Sequence, residues 1–173
     1  MQQQHSPRRH SQRLSRTLRH LTQREASAAD ASELLLWPDG APDSSDGGAF
    51  QPSLDIRLHP TATTPLGAVL ILPGGGYGGR ATDHEGYQIA ERCNNAGYHA
   101  FILQYRVSPN VHPAPLLDVS RGIRLIRAHA EEWGVVPEQV AVLGFSAGGE
   151  QRQSKNCCGL TTALHILTHT QAR

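Results

Sequence analysis

The stretch "VAVLGFSAGG", Val140 to Gly149, decides the fold. Its first four residues are continuously apolar, as expected of a strand buried on both faces, where alternation would mark a strand with one wet face. Then Gly144-Phe145-Ser146-Ala147-Gly148 fits G-x-S-x-G. That pattern belongs to a sharp strand-to-helix turn. The bend forces its serine into a strained conformation, and the flanking glycines remove the side chains that would collide. The serine oxygen then stands clear of the sheet at a helix N-terminus, where a nucleophile is useful. Short patterns of this kind recur by chance in glycine- and serine-containing chains, so context must decide. Here a buried strand runs directly into it.

Working outward, "LDIRLH" (Leu54 to His59) alternates like a half-exposed strand, while "AVLIL" (Ala68 to Leu72) and "HAFILQY" (His99 to Tyr105) are continuously apolar. Between them Thr82 or Asp83 can cap a helix in which Tyr87, Ala90 and Cys93 share a face and which stops near Gly97. After a Pro-rich connection, Leu116, Val119, Ile123, Ile126, Ala130 and Trp133 recur at steps of three and four, which predicts one long helix ended by Gly134. "QVAVLGF" (Gln139 to Phe145) supplies the last buried strand. Strands alternating with helices predict an α/β fold: an open, doubly wound, mostly parallel sheet with helices on both faces.

A second motif, "LPGGGYGG" (Leu72 to Gly79), follows an earlier buried strand. Open α/β sheets bind ligands at the C-terminal ends of their strands, so both motifs belong to one end. Consecutive glycines let backbone N–H groups face a ligand. With a G-x-S-x-G downstream, the natural reading is an oxyanion hole, with Gly75, Gly76 and the N–H of Ala147 as donors. The alternatives are a simple flexible turn and a phosphate-binding loop, the latter because Gly74, Gly76 and Gly79 have dinucleotide-fingerprint spacing. No acidic residue ends the next strand to hold a ribose, however; Gln104-Tyr105-Arg106 stands there.

In order and spacing, "LPGGGYGG", "LQYRVSP", "HPAPLLDVSRGIRLIRAHAEEWGV" and "VAVLGFSAGG" resemble the N-terminal half of α/β-hydrolase fold esterases of the acetylxylan esterase and BD-FAE-like type. The resemblance covers 54–149. It implies a serine carboxylic ester hydrolase with Ser146 as nucleophile, an acyl-enzyme mechanism, a small-molecule or carbohydrate ester substrate, and no cofactor or metal. Pro73 stands where the HGGG-containing relatives carry histidine.

In that fold the acid and the histidine follow the nucleophile. Downstream of Ser146 the sole acid is Glu150 and the only histidines are His165 and His169. Glu150 falls one helical turn from Ser146, a poor place from which to orient an imidazole. His59, His84, His99, His112 and His129 precede the elbow and read as surface or loop residues. "EQRQSKN" (Glu150 to Asn156) offers no apolar face for the helix that should pack under the site. The expectation is that family sequence ends at Gly149 and that 150–173 is an unrelated tail, as a frameshift or altered splice would generate. The sheet would then be incomplete after the nucleophile strand and the chain weakly active or inactive, in effect a non-catalytic remnant or ligand-binding module.

Charge lies in an arm. Met1 to Arg24 holds six arginines, three histidines and no carboxylate, whereas the rest carries ten Lys/Arg against fifteen Asp/Glu. Residues 1–30 read as a basic, disordered arm and 31–53, with "WPDGAPDSSDGG", as linker. The arm could serve mitochondrial targeting or touch RNA, which makes a third functional reading, but the body shows no basic run that would bind nucleic acid. Cys93, Cys157 and Cys158 give no disulfide framework and no metal-ligand spacing. Without a secretory signal or a transmembrane run, a cytoplasmic protein is the default expectation, with no membrane partner.

Overall fold

The structure, a computed structural model, describes residues 32–149. Five strands form one sheet: β1 (Glu33–Leu35), β2 (Ser53–Arg57), β3 (Leu66–Leu72), β4 (His99–Gln104) and β5 (Val135–Gly144). Their spatial order is β1-β2-β4-β3-β5. β4, β3 and β5 run parallel, and β1 and β2 add two antiparallel pairings at the other edge. The sheet is therefore mixed, with its parallel part where the apolar runs predicted one.

A π-helical turn (Asp83–Tyr87) leads into α1 (Gln88–Asn95), and α2 (Ala114–Ala128) is followed by the short α3 (Ala130–Trp133). Strand side chains alternate between the two faces. Leu70, Leu72, Phe101, Leu103, Val140 and Val142 meet Val119, Ile123, Ile126 and Trp133 of α2 and α3. Val69, Ile71, Ala100 and Ile102 meet Ala90, Ile89 and Cys93 of α1. Each fully buried Leu or Ile contributes about 1.5–3 kcal/mol, which is why these unbroken apolar runs are strands with two covered faces. The expected single helix breaks at His129 (φ −99°, ψ 15°), and Gly134 ends α3 in the left-handed conformation, φ 63°. Thr82 precedes the π-helical turn but its side chain does not cap it; its hydroxyl faces Arg80 O and Gln104 Oε1.

The segment 31–53, expected as linker, supplies strand β1, which pairs with β2 from Glu33↔Asp55 to Leu35↔Ser53. Leu36 is fully buried in the larger core. Trp37 Nε1 donates to Asp118 Oδ1 (2.8 Å) and Arg121 Nε to Leu36 O (3.0 Å). Polar bonds from residues far along the chain hold this segment, so it carries little periodicity of its own. β2 is also more buried than its alternation predicts: Asp55 lies 7% exposed and accepts from Tyr87 Oη and Gln104 Nε2, both at 2.9 Å.

Among the described residues no helix is long and apolar enough to cross a membrane. The arm 1–30 and Glu150, Cys157, Cys158, His165 and His169 lie outside them.

Candidate active site

β5 ends at Gly144 and the backbone turns at Ser146, whose φ of 47° lies in the left-handed region. For a serine this conformation costs on the order of 1–3 kcal/mol, and the surroundings enforce it. A methyl group on Gly144 would sit 2.6 Å from Gly148 O, and one on Gly148 would press into the carbonyls of Leu72 and Pro73 at the end of β3. Both glycines of the pattern are thus required by space. Ser146 is exposed, whereas Ala147 behind it is buried at the start of a helical turn, and Gly148 and Gly149 donate back to Phe145 O and Ser146 O.

The glycine loop lies directly beside this turn. Phe145 N–H donates to Leu72 O (3.0 Å), and a side chain on Gly74 would lie 3.0 Å from Ser146 Cβ. Backbone φ then runs positive through Gly75 (146°), Gly76 (60°) and Tyr77 (64°). Two inward hydrogen bonds set the loop: Ala81 N–H to Gly74 O (2.7 Å) and Gly79 N–H to Gly75 O (3.2 Å). In a trans peptide the C=O and N–H point in opposite directions. With the carbonyls of Gly74 and Gly75 turned into the loop, the N–H groups of Gly75 and Gly76 turn away from it. Neither has a hydrogen-bond partner among the described residues. The sequence-predicted residues Ser146, Gly75, Gly76 and Ala147 therefore belong to one locus.

Several contributors were not legible from the motifs. Glu85 Oε2 accepts from Gly74 N–H (2.8 Å), and Tyr105 Oη donates to Pro73 O (2.5 Å). Burial pushes the Tyr105 hydroxyl up to about 12, so it remains a donor at neutral pH. Arg80 donates to Tyr105 O (2.8 Å) and lies 4.2 Å from the centroid of the Phe50 ring; burial lowers its guanidinium from the ordinary value. "LQYRVSP" carried Tyr105 only as part of a block. The signal for Glu85, an acid eleven residues beyond the glycine it serves, is indistinguishable from an ordinary acidic first turn of a helix.

Among the described residues, no side chain is hydrogen-bonded to Ser146 Oγ. His84 and His112 are exposed, and His59 and His129 are half-buried, His129 against Glu132 (2.9 Å). His99 departs from the surface or loop reading: it is 2% exposed within β4, accepts from His59 N–H (2.9 Å) and bonds Gly134 O through Nε2 (3.1 Å). A neutral imidazole with both nitrogens occupied can sit in a core. Burial raises the Cys93 thiol, and among the described residues no three His, Cys, Asp or Glu side chains could hold a metal ion.

The BD-FAE family model matches residues 54–156, and so runs a little past Gly149. Acetylxylan esterase of Xylanibacter ruminicola is 39% identical over 105 residues, covering 61% of this chain and 21% of that protein. Esterase LipC of Mycobacterium tuberculosis is 34% identical over 100 residues, covering 56% and 24%. The crystal structure of an acetyl ester-xyloside bifunctional hydrolase from Caldicellulosiruptor lactoaceticus is similar at a TM-score of 0.65 and 38% identity, covering 69% of this chain and 44% of that one. The chain spans about a fifth of the length of the curated relatives it matches.

Proposed function

The chain belongs to the BD-FAE family, and from that premise we propose that it carries the nucleophile and oxyanion hole of a serine carboxylic ester hydrolase acting on acetyl or other short acyl esters, with acetylated carbohydrates as the substrate class. One observation carries the reading: Ser146 is held at φ 47° on an exposed turn wedged against a glycine loop that leaves two N–H groups without a partner among the described residues. Ser146 Oγ attacks the ester carbonyl. The carbonyl oxygen becomes an oxyanion, for which the N–H groups of Gly75, Gly76 and Ala147 are the donors. Collapse expels the alcohol and leaves an acyl-serine that water hydrolyses. The proton on Ser146 needs a base; Glu150, His165 and His169 are the downstream candidates, outside the described residues. The relatives' names support the acetyl-carbohydrate class, since one is an acetylxylan esterase and another an acetyl ester-xyloside hydrolase.

The test is hydrolysis of p-nitrophenyl acetate and an acetylated xylo-oligosaccharide by the full chain beside Ser146→Ala. The wild-type rate should exceed the variant's, and a fluorophosphonate should add its mass to the wild type alone. Equal rates with no adduct remove the enzyme reading and favour a ligand-binding module.

A further inference from the structure

Resting on that reading of the site, we propose that Glu85 is a positioning residue for the oxyanion loop: together with the Tyr105 hydroxyl it holds both polar ends of the Pro73–Gly74 peptide and so fixes the Gly75 and Gly76 N–H groups relative to Ser146.

The two bonds act on one rigid unit. Tyr105 Oη donates to Pro73 O (2.5 Å), and Gly74 N–H, on the opposite side of the same planar peptide, donates to Glu85 Oε2 (2.8 Å). A peptide gripped at both ends cannot rotate, and the next peptide begins from its Cα. Gly74 is buried, so without Glu85 its N–H would lack a partner. There is also no slack. A side chain on Gly74 would meet Glu85 Oε2 at 2.8 Å, Phe145 O at 2.9 Å and Ser146 Cβ at 3.0 Å, which places Gly74 between the carboxylate and the elbow.

An acid in the first turn of a helix ordinarily serves the helix dipole. Asp83, exposed in the same turn, is placed for that role. Glu85 is different: its backbone N–H continues the helix by bonding Ala81 O (3.0 Å), while its carboxylate leaves the helix for the loop. Through Ala81, whose own N–H holds Gly74 O, both carbonyl and N–H of Gly74 are referred to the start of this helix.

The experiment follows the Gly74 amide and turnover in the full chain, comparing wild type, Glu85→Gln and Glu85→Ala. Losing a charged acceptor should speed exchange of the Gly74 amide roughly 10- to 100-fold in Glu85→Ala. The amide oxygen of Glu85→Gln still accepts, so its exchange should fall between the two. For p-nitrophenyl acetate, kcat should drop about 100-fold in Glu85→Ala with KM moving less than about threefold, and Glu85→Gln should recover about tenfold of that. A purely structural role would not split kcat from KM. If Glu85→Ala does not fold, Glu85→Asp, whose shorter arm falls short of Gly74, carries the same expectations. Unchanged Gly74 exchange overturns the clamp whatever the activity, and faster exchange with unchanged kcat overturns the positioning role. A wild-type rate equal to that of Ser146→Ala overturns the esterase reading instead, and exchange alone then decides the clamp.

Discussion

Asp118 is the perturbation with the most to lose. It is fully buried, as is Arg106, and the two form an ion pair at 2.8 Å. Asp118 Oδ2 accepts from Arg106 N and Nε (both 2.9 Å), and Oδ1 accepts from Arg106 Nη2 and Trp37 Nε1 (both 2.8 Å). Arg106 also donates to Ala114 O, Ser44 Oγ and Pro42 O. One carboxylate, with the arginine it holds, thus ties the end of β4 to α2 and to the segment 37–44. Removing it strands a guanidinium without water, which costs about 3–5 kcal/mol. Asparagine is no remedy: all four groups facing the carboxylate are donors, so whichever way the carboxamide turns, its NH2 meets two of them. Asp118→Asn and Asp118→Ala should each lower the urea midpoint by about 2 M, taking a slope of about 2 kcal/mol per M. Unfolding followed by the fluorescence of Trp37 and Trp133 measures this. The cycle with Arg106→Met should show strong coupling, the double variant costing much less than the sum of the singles. An Asp118→Asn protein within about 1 kcal/mol of wild type would refute the reasoning, because it would mean that the four bonds are not charge-dependent.

Two other tests are independent of that pair. Gly148→Ala should lower the melting temperature by several degrees and abolish Ser146 labelling, because its methyl group meets the backbone of Leu72 and Pro73; Gly78→Ala, with nothing within 4 Å, should be nearly neutral in melting temperature. His99 titrates below its ordinary value of 6.5, chiefly through burial, so on acidification the unfolded chain takes up this proton before the folded one does. Its contribution is complete above pH ~6.5 and is lost as pH falls toward the lowered folded value, at up to about 1.4 kcal/mol per pH unit. Urea midpoints at pH 7.5 and 5.5 should separate more for wild type than for His99→Gln.

What the sequence disclosed followed the range of its signals. Periodicity is local, so β3, β4, β5 and the helices could be read from their own apolar residues, and Ser146 from a turn that needs glycines within two positions of it. Leu36 and Trp37 escaped because their partners are Asp118 and Arg121, more than eighty residues away, and the intervening "PDGAPDSSDGG" looks like linker. Arg106 was visible in "LQYRVSP" and Asp118 in "PLLDVSRG", but nothing local says that a buried arginine at a strand end and an acid on an apolar helix face answer each other. His99 shows the converse: its residue type suggests surface, and only the neighbouring His59 N–H and Gly134 O make it a core residue.

That two motifs about seventy residues apart meet at all follows from the strand order. β3 leads through α1 to β4 on one side, and β4 returns through α2 and α3 to β5 on the other side of β3. Right-handed crossovers taken in opposite directions put their helices on opposite faces, as the two core clusters show. They also make β3 and β5 parallel neighbours whose loops leave the same end of the sheet. Register then finishes the alignment: Leu72 pairs with Gly144, so Pro73-Gly74-Gly75 and Phe145-Ser146-Ala147 start level. A shift of one residue would reverse which side chains of β5 face the core, removing Val140 and Val142 from the face packed by α2, so core packing holds this register. The alignment of the proposed nucleophile with the proposed oxyanion donors is therefore set by hydrophobic burial well below the site. Glu85 and Tyr105 add only the last, local constraint on the loop.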